Sequence, residues 1–232
     1  MKRRLLDLFC GRFGWSKAFA ARGWECVGVD LVEPPEIPEG CTFIRADILQ
    51  IVSSKHGRFS IYECDAGPGT GEELWTMKPD FICASSPCEQ FSVHGMKHFH
   101  PNPPYPEMGI KLFNHTRAIC EASGVPYVME NVRAAQKFLG NAVNHCGPFY
   151  LWGNAVSVLV PQGITKGIKM GNSNWSRERN WEFAKANRTH AMFSSRSKER
   201  KEATARAAEI PPELAACIAD YAERILEMKE SA

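Results

Sequence analysis

Five short apolar runs each stop on residues with chemistry to offer, and that pattern restricts the chain to a small set of folds. Arg4 to Phe9 gives way to Cys10-Gly11-Arg12-Phe13-Gly14 and then to a helical pattern over Trp15 to Arg22, with Trp15, Ala18 and Phe19 on one side. Glu25 to Leu31 carries Cys26-Val27-Gly28-Val29 into Asp30, and Thr42 to Ile44 runs out near Asp47. Pro79 to Ala84 stops at Ser85-Ser86-Pro87-Cys88. After a helical stretch from Met108 to Ser123, Pro126 to Met129 stops at Glu130-Asn131-Val132. Strands alternating with helices predict an α/β domain on a doubly wound parallel sheet. Ligands of such sheets settle off the carboxyl ends of the strands. Asp7, Asp30, Asp47, Cys88 and Glu130 all fall there.

The remaining segments read differently. Glu63 to Met77 is a loop by composition, with Asp65-Ala66-Gly67-Pro68-Gly69-Thr70-Gly71 at its centre, and it lacks the Lys-Ser/Thr that a phosphate-gripping loop needs. Glu89 to Pro106 is polar, rich in His and Pro and without periodicity, which predicts a mobile loop. Val156 to Val160 predicts one more strand. From Lys166 to Arg206 eleven Lys/Arg face four Asp/Glu, with Trp175, Trp181 and Phe183 interleaved, a candidate nucleic-acid surface that competes with a plain solvated helix over Ser195 to Ala208. Ile210-Pro211-Pro212-Glu213 opens a last helix to about Met228, with Leu214, Ile218, Tyr221 and Ile225 on one face. The boundaries expected are a catalytic domain over 1–160, a small basic recognition region over 161–200 and a C-terminal helix over 201–232 that returns to the first.

A length of 232 residues suits one such domain, and a net charge of +2 with 44% hydrophobic residues excludes a disordered tail or a membrane-embedded chain. The apolar run after Met1 is too short for a leader or a membrane span, so a cytoplasmic monomer is expected. Nine scattered cysteines with no Cys-x-x-Cys pair suggest neither a disulfide framework nor a zinc ribbon. Cys26, Cys83, Cys120 and Cys217 read as buried thiols. Three His in one polar loop (His94, His98, His100) without a placed fourth ligand do not make a metal site, and none is expected. Cys88 differs from the other thiols, because it follows a Pro at the end of a buried strand and opens a long loop, where a thiol faces the cleft and can act as a nucleophile. Glu130, at the end of the neighbouring strand, is either its partner or a cap for the next turn.

In order and spacing, Asp7-Leu8-Phe9-Cys10-Gly11, Val27-Gly28-Val29-Asp30, Ala46-Asp47-Ile48, Ser86-Pro87-Cys88 and Glu130-Asn131-Val132 resemble the signature motifs of the DNA cytosine-C5 methyltransferase family, over residues 4–133. Ile210-Pro211-Pro212 resembles its closing segment, near 205–222. The resemblance implies a Rossmann-like, S-adenosylmethionine-dependent methyltransferase fold and double-stranded DNA as partner. Phe9, Gly11 and Gly14 would shape the cofactor pocket, with Asp7 and Pro87 beside it. Asp30 would take the ribose hydroxyls and Asp47 the adenine amino group. Cys88 and Glu130 would be the catalytic pair: a thiolate adds to C6 so that C5 becomes nucleophilic, while a protonated carboxyl steadies charge at N3, which demands a raised pKa in a dry pocket. The target base would be flipped out of the duplex, with Glu89 to Pro106 closing over it.

The chain departs from the family in four places. Phe13 stands where a second glycine is usual, and Glu89 precedes Gln90 where Gln directly follows the nucleophile. No Arg or Lys lies between Lys137 and Lys166, so the Arg-bearing segment that helps hold the cytosine has two candidate stand-ins, Lys166 after Pro161-Gln162 or the pair Arg177 and Arg179. Only about Gly163 to Ser195 is left for target recognition, which predicts short or relaxed specificity in a compact, phage-type enzyme, with Asn131 and Gln90 joining those basic residues at the substrate. Two other functions compete. Asn102-Pro103-Pro104-Tyr105 matches the tetrapeptide by which amino-methyltransferases grip an exocyclic amine, although Ser86-Pro87-Cys88 already occupies the strand end it would need. A DNA-binding relative with impaired catalysis is the other, and an RNA substrate is a variant of the first reading.

Overall fold

Side chains that alternate along the central strands feed two separate apolar cores, which makes the sheet the middle of three layers. The computed structural model describes residues 2–62, 73–92, 105–157, 176–186, 188–189, 192–194 and 197–231. Its elements run β1 (Arg4–Leu8), α1 (Ser16–Ala20), β2 (Glu25–Asp30), β3 (Cys41–Arg45), β4 (Ile51–Ser53), β5 (Phe59–Tyr62), β6 (Glu73–Met77), β7 (Phe81–Ser85), α2 (Glu107–Ser123), β8 (Tyr127–Asn131), α3 (Gln136–Leu139), β9 (Asn144–Cys146), β10 (Phe149–Trp152), α4 (Arg177–Ala186), α5 (Lys198–Ala208) and α6 (Pro212–Glu230). Leu6, Leu8, Val27, Val29, Ile82 and Ala84 point into one core, where α2 adds Phe113, Ile119 and Cys120. Leu5, Cys26, Phe81, Cys83 and Val128 point into the other, which α1 and α6 close with Phe19, Leu214, Ile218 and Ala222.

Among the described residues the main sheet has the order β3-β2-β1-β7-β8-β10-β9. From β3 to β8 neighbouring strands are parallel, as expected of a doubly wound fold. Strand order reverses between β1 and β7, so the crevice at their carboxyl ends is where a ligand has room. The C-terminal helix α6 packs in the second core: Pro212 sits in its first turn, and Leu214 and Ile218 are wholly buried.

Two antiparallel features were not expected. Glu63 to Met77 is not all loop, because Glu73–Met77 is a strand that pairs with β5, and β5 pairs with β4, in a second small sheet. Phe59, Ile61 and Met77 of that sheet are buried in the first core, so tertiary packing makes strands of runs too short to announce themselves. The other is the β9–β10 hairpin, which adds an antiparallel edge to β8. Its turn is made by Gly147 at φ 54° beside Pro148. The strand expected over Val156 to Val160 is not formed at Val156 and Ser157, and 158–160 lie outside the described residues. Instead Val156 is buried and its carbonyl accepts a hydrogen bond from Asn144 Nδ2 at 3.0 Å. Cys26, Cys83 and Cys120 are buried as expected, whereas Cys217 is partly exposed.

Candidate active site

At the carboxyl ends of five parallel strands, Phe9, Gly11, Asp30, Asp47, Pro87, Cys88 and Glu130 line one cavity of about 310 Å³. Each arrives from the end of its own strand. β1 delivers Phe9 and Gly11, β2 Asp30, β3 Asp47, β7 Pro87 and Cys88, and β8 Glu130. A neighbouring cavity of about 380 Å³ shares Phe9, Gly11, Asp30, Ser85 and Ala208 with the first and adds Gly14, Trp15, Val32, Glu209 and Ile210. The two compartments meet over the turn that follows β1.

That turn is held from below. Asp7 is fully buried, and its Oδ2 accepts from Ser16 Oγ at 2.6 Å and from Ser16 N at 3.3 Å, which ties the start of α1 to the middle of the sheet. Its other oxygen has no hydrogen-bond partner among the described residues. Burial pushes the Asp7 carboxyl up to about 7; the Ser16 bonds pull it back and the nearby Asp30 adds to the rise. Expected at the cofactor, Asp7 instead lies beneath the site and on neither cavity wall. Phe13 sits at φ 59°, in the left-handed region that costs a non-glycine residue about 1–3 kcal/mol. Its ring is wholly buried over Gly28, where any Cβ would collide with it and would come within 2.8 Å of Cys10 Sγ. Gly14 serves close packing, since a Cβ there would approach Ile210 N to 2.9 Å.

Asp30 and Asp47 are shaped as acceptors with capacity to spare. Asp30 accepts from Gly11 N at 3.1 Å through one oxygen and from Val32 N at 3.3 Å through the other. Asp47 accepts from Leu49 N at 2.9 Å and so caps the short 3-10 turn Ile48–Gln50. An ionised carboxylate offers about four lone-pair sites, so both can still accept from a ligand.

The segment around Cys88 is pinned on three sides. Trp15 Nε1 donates to Ser85 Oγ at 2.9 Å, and Asn131 Nδ2 donates to both the carbonyl and the hydroxyl of Ser86 at 3.0 Å. The Cys88 carbonyl accepts from Phe91 N and Ser92 N, each at 3.0 Å, while the Phe91 ring is buried in the first core. Gln90 Oε1 accepts from Gly109 N at 2.8 Å, which satisfies a donor in the first turn of α2. Cys88 itself is partly exposed and Glu130 is 6% exposed. Ser85 and Glu130 are direct partners across β7 and β8.

Asn131 and Gln90, expected at the substrate, are on neither cavity wall. Asn131 is fully buried and its Oδ1 accepts from Val132 N at 2.8 Å, so its amide is engaged behind the nucleophile segment. Arg177 opens α4, and Arg179, exposed on that helix, is on the wall of neither cavity. Lys166, Pro161-Gln162, His94 to His100, Asn102-Pro103-Pro104 and the Asp65–Gly71 loop lie outside the described residues. Tyr105, the last residue of that tetrapeptide, is exposed, with its ring edge-on to Phe138 at 6.2 Å. Sequence reasoning passed over Leu112, Ser85 and Ala208 on the walls. The helical period placed Leu112 on α2, but no local pattern tells which face of that helix looks into a cleft.

A glycine turn and two acidic strand ends on one side of the switch point, with a cysteine and a buried carboxyl on the other, form the architecture of the Rossmann-like, S-adenosylmethionine-dependent methyltransferase fold. Over residues 3–146 the chain matches the family model of the C-5 cytosine-specific DNA methylases, and it belongs to that family. The resemblance read near 205–222 falls beyond the matched residues, although Ala208, Glu209 and Ile210 do line the larger cavity. Among solved structures, the chain is similar to the 1,6-didemethyltoxoflavin-N1-methyltransferase of Burkholderia thailandensis, crystallised with S-adenosylhomocysteine. Identity is 13%, the match covers 80% of this chain and 60% of that one, and the TM-score is 0.31. It is also similar to the glycopeptide N-methyltransferase MtfA with S-adenosylmethionine (13% identity, 56% and 47% covered, TM-score 0.28). The antibiotic-resistance methyltransferase Kmr is a third such structure (12% identity, 57% and 59% covered, TM-score 0.28). The chain thus spans about half to three-fifths of the length of these proteins. A comparison with curated proteins gives no match.

The family is S-adenosylmethionine-dependent. The residues present fit that cofactor: two acceptors at successive strand ends, the Phe9 and Leu31 side chains for an apolar ring, and a glycine turn between them. Among the described residues no group of three or more His, Cys, Asp or Glu side chains is placed to hold a metal ion, and no helix is long and apolar enough to cross a membrane.

Proposed function

We propose that this chain methylates C5 of cytosine in DNA, with Cys88 as the nucleophile and Glu130 as the carboxyl that steadies the ring. One observation carries the reading: Cys88 and Glu130, from different strands, face the same cavity as Asp30 and Asp47. Asp30 and Asp47 would hold the ribose and adenine of S-adenosylmethionine, with Phe9 against the ring. The bound cofactor supplies an electrophilic methyl group. Cytosine C5 is a weak nucleophile, so Cys88 has first to change the ring.

The Cys88 thiolate donates an electron pair to C6 and forms a carbon–sulfur bond, which moves density onto C5 and towards N3. Glu130, at 6% exposure, shares a proton with N3 as that charge grows. Once C5 carries the methyl group, loss of its proton to a base lets the C6–sulfur bond break, and Cys88 leaves as the thiolate. Cys88 has to be held steady for this, and the ties from Asn131 to Ser86 and from Trp15 to Ser85 hold it. A base inside a duplex is out of reach, so the cytosine is flipped into the cavity at a cost of a few kcal/mol. On α4, Lys185 lies 5.6 Å from the Trp181 ring centre, and Trp181 is half exposed, a pairing suited to backbone and base contacts.

The test is to incubate the protein with DNA and labelled S-adenosylmethionine and to map the product at base resolution. Label at C5 of cytosine is expected, and Cys88→Ala lowers the rate by roughly 10³-fold or more. Methyl groups on exocyclic nitrogens, with Cys88→Ala unimpaired, would instead place the chemistry at the Asn102-Pro103-Pro104-Tyr105 segment.

A further inference from the structure

We propose that Arg12 and Glu202 bind the amino-acid end of S-adenosylmethionine, Arg12 at the α-carboxylate and Glu202 at the α-ammonium. The inference rests on the cofactor reading above and adds to it two side chains that the family motifs do not include. Among the described residues five charged ones line the larger cavity: Arg12, Asp30, Glu33, Glu202 and Glu209. Three are already engaged. Glu209 pairs with Lys17 at 2.7 Å, Glu33 with Arg45 at 3.3 Å, and Asp30 accepts from two backbone N–H groups. Among the described residues Arg12 and Glu202 have no hydrogen bond or ion pair with the chain or with each other, although they border one cavity. Opposite charges left unspent on one wall suit a zwitterion.

The backbone points the same way. Phe9, Gly11 and Phe13 have φ of 57°, 50° and 59°, so residues of left-handed twist alternate with others along the turn. Such alternation turns N–H groups into an anion-binding concavity. Among the described residues the N–H groups of Arg12 and Gly14 take no hydrogen-bond partner. The α-carboxylate is the only anion the cofactor carries. Among the described residues no basic side chain lines the smaller cavity, and its carboxylates Asp30 and Asp47 suit hydroxyls and an amine. The amino-acid end therefore belongs in the compartment of Arg12 and the adenosine end in that of Asp47, with Asp30 on the shared wall.

Two ligands separate this inference from the reading beneath it. S-Adenosylhomocysteine has the amino-acid end and 5′-methylthioadenosine lacks it, and calorimetry gives the affinity of each. The wild-type protein is expected to bind both. Arg12→Met is expected to weaken S-adenosylhomocysteine about 10-fold or more while 5′-methylthioadenosine stays within about twofold. Glu202→Gln, on an exposed residue, is expected to have a smaller effect of the same selectivity, and Arg12→Lys to restore part of the loss. Retained 5′-methylthioadenosine binding also shows that the variants are folded. Equal weakening of both ligands by Arg12→Met, or no weakening of either, overturns the assignment. Wild-type protein that binds neither ligand overturns the cofactor reading itself.

Discussion

Asp7 shows how one residue carries both the fold and the pH response of this chain. In the unfolded chain its carboxyl ionises near 3.8; in the folded protein, where burial is the main cause, it ionises at about 7. Between those values the unfolded state has released a proton that the folded state keeps, so stability falls as pH rises through that window and levels off above it. At about 1.4 kcal/mol for each tenfold change in proton affinity, the upper bound of that loss is about 4 kcal/mol. Asp7→Asn cannot titrate. Urea denaturation at pH 5 and at pH 7.5 is expected to show wild type losing stability relative to Asp7→Asn as pH rises, whereas a gap that is the same at both values would mean that Asp7 keeps its charge when folded. The residue was legible in the sequence as a strand-end acid, but not as a buried one. Only the hydrogen bonds to Ser16, nine positions on, show that it serves the helix start. Asn131 follows the same logic: the motif marks its position, and the long-range contact to Ser86 shows its task.

Among the elements, the turn between β1 and α1 is strained twice, because Phe9 and Phe13 both hold left-handed backbone without being glycine. Burial of the Phe13 ring against Gly28 offsets that cost. Gly28→Ala is expected to destabilise the protein by about 1–3 kcal/mol through overpacking. In a Phe13→Gly background the ring that the new methyl group meets is gone, so the same substitution should cost less; a double-mutant cycle on denaturation midpoints reads the difference. Strictly additive effects would show that the two positions do not press on each other. The elements that the sequence made plain are those with a strong period or a buried run: β1, β2, β3, β7, α2, β8 and α6. Those it hid are short and depend on partners. Ile51–Ser53 and Asn144–Cys146 have three residues each, and neither is a strand without the neighbour that completes its hydrogen bonds.

On the scale of the whole molecule, the site is assembled from both ends of the chain. The family match ends at residue 146, yet Ala208, Glu209 and Ile210 close the larger cavity because α6 packs beside α1 in the second core. Ion pairs repeat that connection at the surface, Arg3 with Glu230 and Lys17 with Glu209. On the proposed reading the basic stretch between them meets DNA, and binding would then weaken steeply with salt. Strand ends, cysteine and carboxylates were legible because each stands beside a breaker or a motif. The division of the cleft into two compartments was not, since it depends on how residues near 205 fold back over the turn at residue 12. The proposed methyl transfer requires a covalent bond between Cys88 and a cytosine ring. A duplex carrying 5-fluorocytosine, which cannot lose a proton from C5, should become trapped on Cys88 when S-adenosylmethionine is present, and peptide mass spectrometry should find the adduct at that residue. Full turnover on ordinary DNA with no adduct at Cys88 would contradict it.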